Sequence, residues 1–148
     1  MCRVLIVDDS DEVARPMQRL IQMMGVECQR ESCGECGVTT AKQWHPDLVL
    51  LDIMMPDIDG IEVLRQLRRD GFENPIVMIS ALNDSQVKRY ARIMGASDYI
   101  TKGKIDRQSL AELIAKFVPG CEGLALELLP ERQQEAPCLQ HLLAAVGK

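Results

Sequence analysis

No stretch limits the fold of this chain more than the thirteen residues Leu48-Val49-Leu50-Leu51-Asp52-Ile53-Met54-Met55-Pro56-Asp57-Ile58-Asp59-Gly60. Four consecutive large aliphatics specify a strand buried on both faces, as in the middle of a parallel sheet, because a strand with one wet face alternates instead. Asp52 follows at once, so it sits where the strand ends. In open parallel α/β sheets ligands bind outside the strand C-termini, and an acid there reaches solvent while its strand stays dry. Pro56 and Gly60 then turn the chain toward a helix. Taken alone, Asp52 reads as a turn or cap residue.

Other strand ends change that reading. The first apolar run, Val4-Leu5-Ile6-Val7, also ends in carboxylates, Asp8-Asp9, with Ser10-Asp11-Glu12 beginning a helix behind them. Three carboxylates delivered to one edge repel one another without a cation, and an all-oxygen donor set suits magnesium better than zinc. Two further strand ends supply Ser80 and Lys102. A hydroxyl and an ammonium beside a carboxylate nucleophile and a hard metal are what stabilise the oxygens of a phosphoryl group.

In this order and spacing, Asp8-Asp9, the Asp52 loop, Ser80-Ala81 and Asp98-Tyr99-Ile100-Thr101-Lys102 resemble the receiver domain of two-component response regulators, over about residues 1 to 118. The resemblance implies a flavodoxin-like, doubly wound α/β fold with a five-stranded parallel sheet of order 2-1-3-4-5 and five helices. It implies that Asp52 accepts a phosphoryl group from a sensor histidine kinase or histidine phosphotransfer protein. Asp8, Asp9, Asp52 and the backbone carbonyl of Met54 are the implied Mg2+ ligands. Lys102 bridges phosphoryl oxygen and acids, Ser80 turns toward the phosphoryl group, and Tyr99 follows inward as the second switch residue. Gly103 stands where many receivers have proline, which loosens the Lys102 loop. Met54 and Leu82 flank the site as apolar residues that cannot orient an attacking water, so a long-lived phosphoryl-Asp is expected.

Five apolar strands, at 3–7, 27–31, 48–51, 76–79 and 98–100, alternate with five helical patterns, the signature of a parallel sheet covered on both faces. The first helix is expected over about 11–24, with Val13, Met17, Leu20, Ile21 and Met24 inward. Pro16 lacks the donor for a bond to residue 12, which predicts a kinked or late first turn and Asp11 and Glu12 near the acid pocket. The second helix, about 35–44, leads through His45-Pro46 into the central strand, with His45 on the surface. The third, about 60–70, buries Ile61, Val63, Leu64 and Leu67 and exposes Arg65, Arg68 and Arg69. The fourth, capped within Asn83-Asp84-Ser85 and ending near 94, turns Val87, Ala91 and Met94 inward and Lys88, Arg89 and Arg92 outward. Asp106 caps the fifth, about 107–118, which buries Leu110, Leu113, Ile114 and Phe117 until Pro119-Gly120 stops it.

At 148 residues the chain holds one packed domain and an appendage, so the expected division is a receiver at 1–118 and an extension at 119–148. The net charge is −5, of which residues 1–118 carry −3 and the remainder −2. Neither part has the basic stripe that nucleic-acid binding needs. No apolar run approaches the roughly 20 residues that span a bilayer, and no leader pattern opens the chain, so a cytoplasmic protein is expected. The six cysteines are then mostly free thiols. Cys33-Gly-Glu-Cys36 has redox or zinc spacing but no second ligand pair nearby, and the simpler expectation is a turn at Ser32-Cys33-Gly34 with Cys36 packed inside the next helix. The twenty-eight residues after Gly120 are too few for a DNA-binding or enzymatic output domain. Pro137 opens a short helix whose Leu139, Leu142, Leu143 and Val146 share one face, marginal alone and expected to dock on its own receiver, a partner or a second copy. The expected activity is therefore a phospho-switch acting through protein contacts. The alternative is a phosphorelay intermediate or phosphate sink. An aspartyl-phosphate hydrolase is disfavoured because Met54 stands where such enzymes place a second acid, and a phosphorylation-dead scaffold because no pocket residue is missing.

Overall fold

The computed structural model describes residues 2–124. Strands β1 (Arg3–Val7), β2 (Glu27–Glu31), β3 (Leu48–Asp52), β4 (Ile76–Ser80) and β5 (Asp98–Thr101) alternate with helices α1 (Asp11–Met23), α2 (Gly34–Trp44), α3 (Gly60–Arg69), α4 (Ser85–Ile93) and α5 (Arg107–Phe117). A 3-10 turn, Lys102–Lys104, separates β5 from α5. The sheet is parallel throughout, in the expected order β2-β1-β3-β4-β5. Because side chains alternate across a strand, the two faces of the inner strands feed two cores. Val4, Ile6, Leu48, Leu50, Val77 and Ile79 pack with α1 and α5. Leu5, Val7, Val49, Leu51, Ile76 and Met78 pack with α2, α3 and α4. Fully burying each such side chain contributes on the order of 1.5–3 kcal/mol, which is why the central strands carry almost no polar residue before their C-terminal ends.

Most elements fall within a residue or two of expectation, and the differences have local causes. α1 starts on time at Asp11 despite Pro16. The lost donor would have served Glu12, and both residues are exposed, so solvent can satisfy that carbonyl. Asp11 is not drawn to the acid pocket, because it pairs with Arg30 and Arg15. Arg68 is not part of a solvated face. Its guanidinium donates to the carbonyls of Gly95 (3.0 Å), Phe72 (2.7 Å) and Asn74 (2.8 Å), and burial lowers its pKa. Lys88 turns back, with its Nζ 2.6 Å from Asn83 Oδ1 and 5.5 Å from the centroid of the Tyr99 ring. His45 is exposed as expected, in a left-handed conformation (φ 53°) that ends α2.

The free-thiol expectation holds for Cys2, Cys28 and Cys121 and fails for Cys33 and Cys36, which form a disulfide. Cys36 is exposed on the first turn of α2 and is not packed inside the helix. After α5, Val118 and Cys121 are buried and Leu124 packs against the same core. The expected helix carrying Leu139, Leu142, Leu143 and Val146 lies outside the described residues, as does Cys138. Among the described residues no helix is long and apolar enough to cross a membrane.

Candidate phosphoacceptor site

Strand register assembles the site. Val7 pairs with Leu51, so Asp8 and Asp52, each one residue further on, emerge side by side. Asp52 pairs with Ile79, which sets Ser80 one step beyond, and Ser80 pairs with Thr101, which sets Lys102 beyond that. Four apolar strands cut to the same edge thus bring two acids, a hydroxyl and an ammonium together. Ligand oxygens of Asp8, Asp9 and Asp52 all lie within 4.8 Å of one another. Asp8 and Asp52 are buried and Asp9 is exposed. Lys102 Nζ stands 3.3 Å from Asp8 Oδ2 and 3.3 Å from Asp52 Oδ2.

These charges are poised against each other. Burial, reinforced by the Asp8 charge, pushes the Asp52 carboxyl up to about 6 against the opposing pull of Lys102 and a Met54 backbone hydrogen bond. For Lys102, burial works to lower the pKa, but Asp52 and Asp8 outweigh it and the net direction is upward. Asp8 Oδ1 accepts the Ser10 N–H at 2.9 Å, whereas Asp8 Oδ2 is the one buried side-chain N or O atom among the described residues without a hydrogen bond. The Lys102 ammonium, 3.3 Å away, offsets part of the cost of burying this oxygen. Three clustered carboxylates against the single Lys102 ammonium suit a hard, oxygen-seeking divalent cation such as Mg2+.

The loop after Asp52 is held closely. Gly60 N–H donates to the Ile53 carbonyl at 2.7 Å. A Cβ on Gly60 would lie 2.1 Å from the Asp52 carbonyl oxygen, so only glycine lets α3 start this near the acid. Asp57 reaches across to α2, where its carboxylate accepts the N–H groups of Gly34 (3.0 Å) and Glu35 (3.1 Å). Sequence reading missed this bridge, and it missed Arg30, whose guanidinium donates to the Asp8 carbonyl (3.2 and 3.0 Å). Neither bridge carries a periodic signal, since each joins residues about twenty apart in sequence.

Ser80 and Tyr99, expected as the switch residues, meet at one residue. Ser80 Oγ accepts the Leu82 N–H at 3.1 Å, and the Tyr99 hydroxyl donates to the Leu82 carbonyl at 2.8 Å. Tyr99 is buried in this state. Met54 and Leu82, exposed as befits residues flanking the mouth, line an apolar cavity of about 720 Å³ with Asp9, Val87 and Tyr90.

Residues 4–115 match the family model described as response regulator receiver domain. The chain belongs to this family. This receiver is 32% identical over 122 residues to protein PilH of Pseudomonas aeruginosa, a match covering 81% of the chain and all of PilH. It is 36% identical over 100 residues to the alkaline phosphatase synthesis transcriptional regulatory protein PhoP of Bacillus subtilis, covering 68% of the chain but 42% of PhoP. The receiver thus spans about two-fifths of the length of several curated relatives that it matches. Among solved structures it superposes on a chain of the CheX-CheY-BeF3-Mg2+ complex from Borrelia burgdorferi with TM-score 0.72 and 32% identity, covering 79% of the receiver and 90% of that chain.

Proposed function

We propose that Asp52 is the phosphoacceptor of this receiver, and that its phosphorylation switches protein contacts. The observation that carries the reading is the placement of a buried Asp52 carboxylate 3.3 Å from Lys102, with Asp8 and Asp9 beside it on one sheet edge. An Asp52 oxygen attacks the phosphorus of a phosphohistidine, the P–N bond breaks, and the imidazole of a sensor histidine kinase or histidine phosphotransfer protein leaves. Attack needs the ionised carboxylate, and a group titrating near 6 is mostly ionised at neutral pH. Lys102 moves little to meet the incoming oxygens, because both acids already hold it at the mouth. Asp8, Asp9, Asp52 and the Met54 carbonyl would hold Mg2+, which would supply charge neutralisation for a largely dissociative transfer. Water later hydrolyses the acyl phosphate, so the chain catalyses only its own turnover.

Phosphorylation adds oxygens that reward any hydroxyl able to reach them. When Ser80 turns toward them it releases the Leu82 N–H, leaving the Tyr99 hydroxyl as the remaining tie on that residue. The resulting change in the α4, β5 and α5 face is a shift between two states, as large as the new contacts favour. The setting is the cytoplasm, and the acidic surface fits a protein target better than nucleic acid. In this reading residues 1–118 are the receiver, and Leu139, Leu142, Leu143 and Val146 of the extension serve a partner, the receiver itself or a homodimer.

Intact mass after incubation with acetyl phosphate tests the reading directly. A phosphoryl adduct is expected on the wild type with Mg2+, and none with chelator or on Asp52→Ala. An adduct that survives in Asp52→Ala would overturn it. The apolar Met54 and Leu82 also predict a long-lived adduct; Met54→Asn/Leu82→Glu should hydrolyse faster, and an equal or longer lifetime would refute that part.

A further inference from the structure

Away from the acids, the exposed disulfide Cys33–Cys36 closes the first turn of α2. Cys33 is the N-cap, its Sγ accepts the Cys36 N–H at 3.1 Å, and Cys36 faces solvent. This turn is tied to the loop that follows Asp52. The two residues inside the bridge, Gly34 and Glu35, are the ones whose N–H groups Asp57 accepts. Those bonds hold the Asp57 carboxyl below the usual carboxylate range, so it stays an anion there. Packing adds a second tie: a Cβ on Gly34 would lie 2.5 Å from Ile58 Cγ1 and 3.0 Å from Val63 Cγ2. A Cβ on Gly37, one residue past the bridge, would lie 2.7 Å from the methyl groups of Val7, the residue before Asp8. The other described thiols lack such a setting. Cys28 is buried, and Cys121 is buried with its sulfur 2.7 Å from that of Cys2.

We propose that Cys33–Cys36 is a thiol–disulfide exchange site for a protein dithiol, and that its redox state sets the order of the Asp52 loop through Asp57. A donor thiolate attacks the exposed Cys36 sulfur, the Cys33–Cys36 bond breaks, and a mixed disulfide forms. Cys33 leaves as a thiolate facing the N–H of Cys36 at the positive end of α2. The donor's second thiol then attacks the mixed disulfide and frees Cys36. The donor is oxidised to its disulfide, and the receiver gains two electrons and two protons. A monothiol needs a second encounter to finish, and an anionic one such as glutathione meets Glu35 and Asp57, so a dithiol is favoured. In a reducing compartment a disulfide that forms and breaks in this way is regulatory rather than structural. The closed bridge fixes the turn that Asp57 grips; the open dithiol frees it. This inference does not rest on Asp52 chemistry.

The full-length protein tests it in two readouts. Tryptic peptide 31–42 contains both cysteines and no other. After equilibration of native protein in a series of reduced-to-oxidised dithiothreitol ratios and alkylation, this peptide should pass reversibly from unmodified to doubly alkylated. Glutathione at equal thiol concentration should act at least about tenfold more slowly. A peptide that stays in one state across the series, or equal rates for the two reductants, would overturn the exchange site as stated. Amide hydrogen exchange over residues 53–60 should quicken at least about threefold on reduction, and Cys33→Ser/Cys36→Ser should match the reduced form. Asp57→Ala should still pass between the two states in the dithiothreitol series, at a shifted ratio, but lose the redox difference in the loop. Equal loop exchange in both states of the wild type, or a difference that persists in Asp57→Ala, would overturn the coupling.

Discussion

Asp8 and Asp52 leave strands that are paired on both sides and buried along nearly their whole length, whereas Lys102 leaves a four-residue edge strand paired only with β4 and enters a 3-10 turn. The helices beside them differ in the same sense. α3, next to Asp52, buries Gly60, Val63, Leu64 and Leu67; α4, next to Ser80 and Tyr99, buries Ala91 alone. Elements with little buried apolar contact open at lower free energy. The proposed phosphoacceptor is therefore set among doubly paired, buried strands, whereas Lys102 and α4 belong to elements with less buried contact. A phosphoryl switch needs both: an attacking oxygen placed within a fraction of an ångström, and a neighbour with two accessible arrangements.

The stiff side can be broken first. Gly60→Ala forces a Cβ into the Asp52 carbonyl, and overpacking against backbone should cost about 3 kcal/mol, read as a lower urea midpoint. A midpoint like wild type would mean that the β3–α3 turn is looser than its contacts suggest. On the soft side, Lys102→Met removes the cation that both acids share, and phosphorylation by acetyl phosphate should slow by about 100-fold. A rate within threefold of wild type would take Lys102 out of the transfer.

Titration sharpens the contrast further. Asp52 is raised from 3.8 in the unfolded chain to about 6 in the native one, so the native protein holds the proton more tightly. In chelator, its contribution favours folding below pH 4, weakens as pH climbs from about 4 to 6, and stays low above that. Asp52→Asn should then stabilise the metal-free protein at pH 7 by about 1–3 kcal/mol, with no gain near pH 3.5. Urea unfolding at the two pH values decides it, and a variant no more stable at pH 7 would contradict the strained pocket. The smallest effect belongs to Tyr99→Phe. Losing the bond to the Leu82 carbonyl should cost about 1 kcal/mol and speed amide exchange at residues 82–85 while leaving residues 53–60 unchanged.

The pattern of what was legible in the sequence follows from the range of the interactions. Strands and helices were readable because apolar periodicity and the Gly, Pro and Asp breaks between them are local signals. Asp8, Asp9, Asp52, Ser80 and Lys102 were readable because a parallel sheet cuts its strands to a common edge, so the polar residue after each apolar run shares one site. Arg68 was misread because helical spacing reports which way a side chain leaves the helix, not whether three carbonyls of later loops wait for it. The Asp57 bridge joins residues 22 and 23 apart and has no periodic trace. Cys33–Cys36 did announce itself by spacing, but inference from a reducing compartment outweighed it, and compartment says little about an exposed pair in one helical turn.

Arg68 and Gly60 together give α3 a mechanical character. One end of the helix abuts the Asp52 carbonyl with no room for a methyl group, and the other is riveted through Arg68 to the turns that precede β4 and β5. α3 is in effect a strut braced at both ends, with α4 a panel hung beside it. Were Asp52 phosphorylated as proposed, a push delivered at the acid would not be absorbed by the strut, so the displacement would pass to the panel, and the apolar groove between them is the gap whose width would record it.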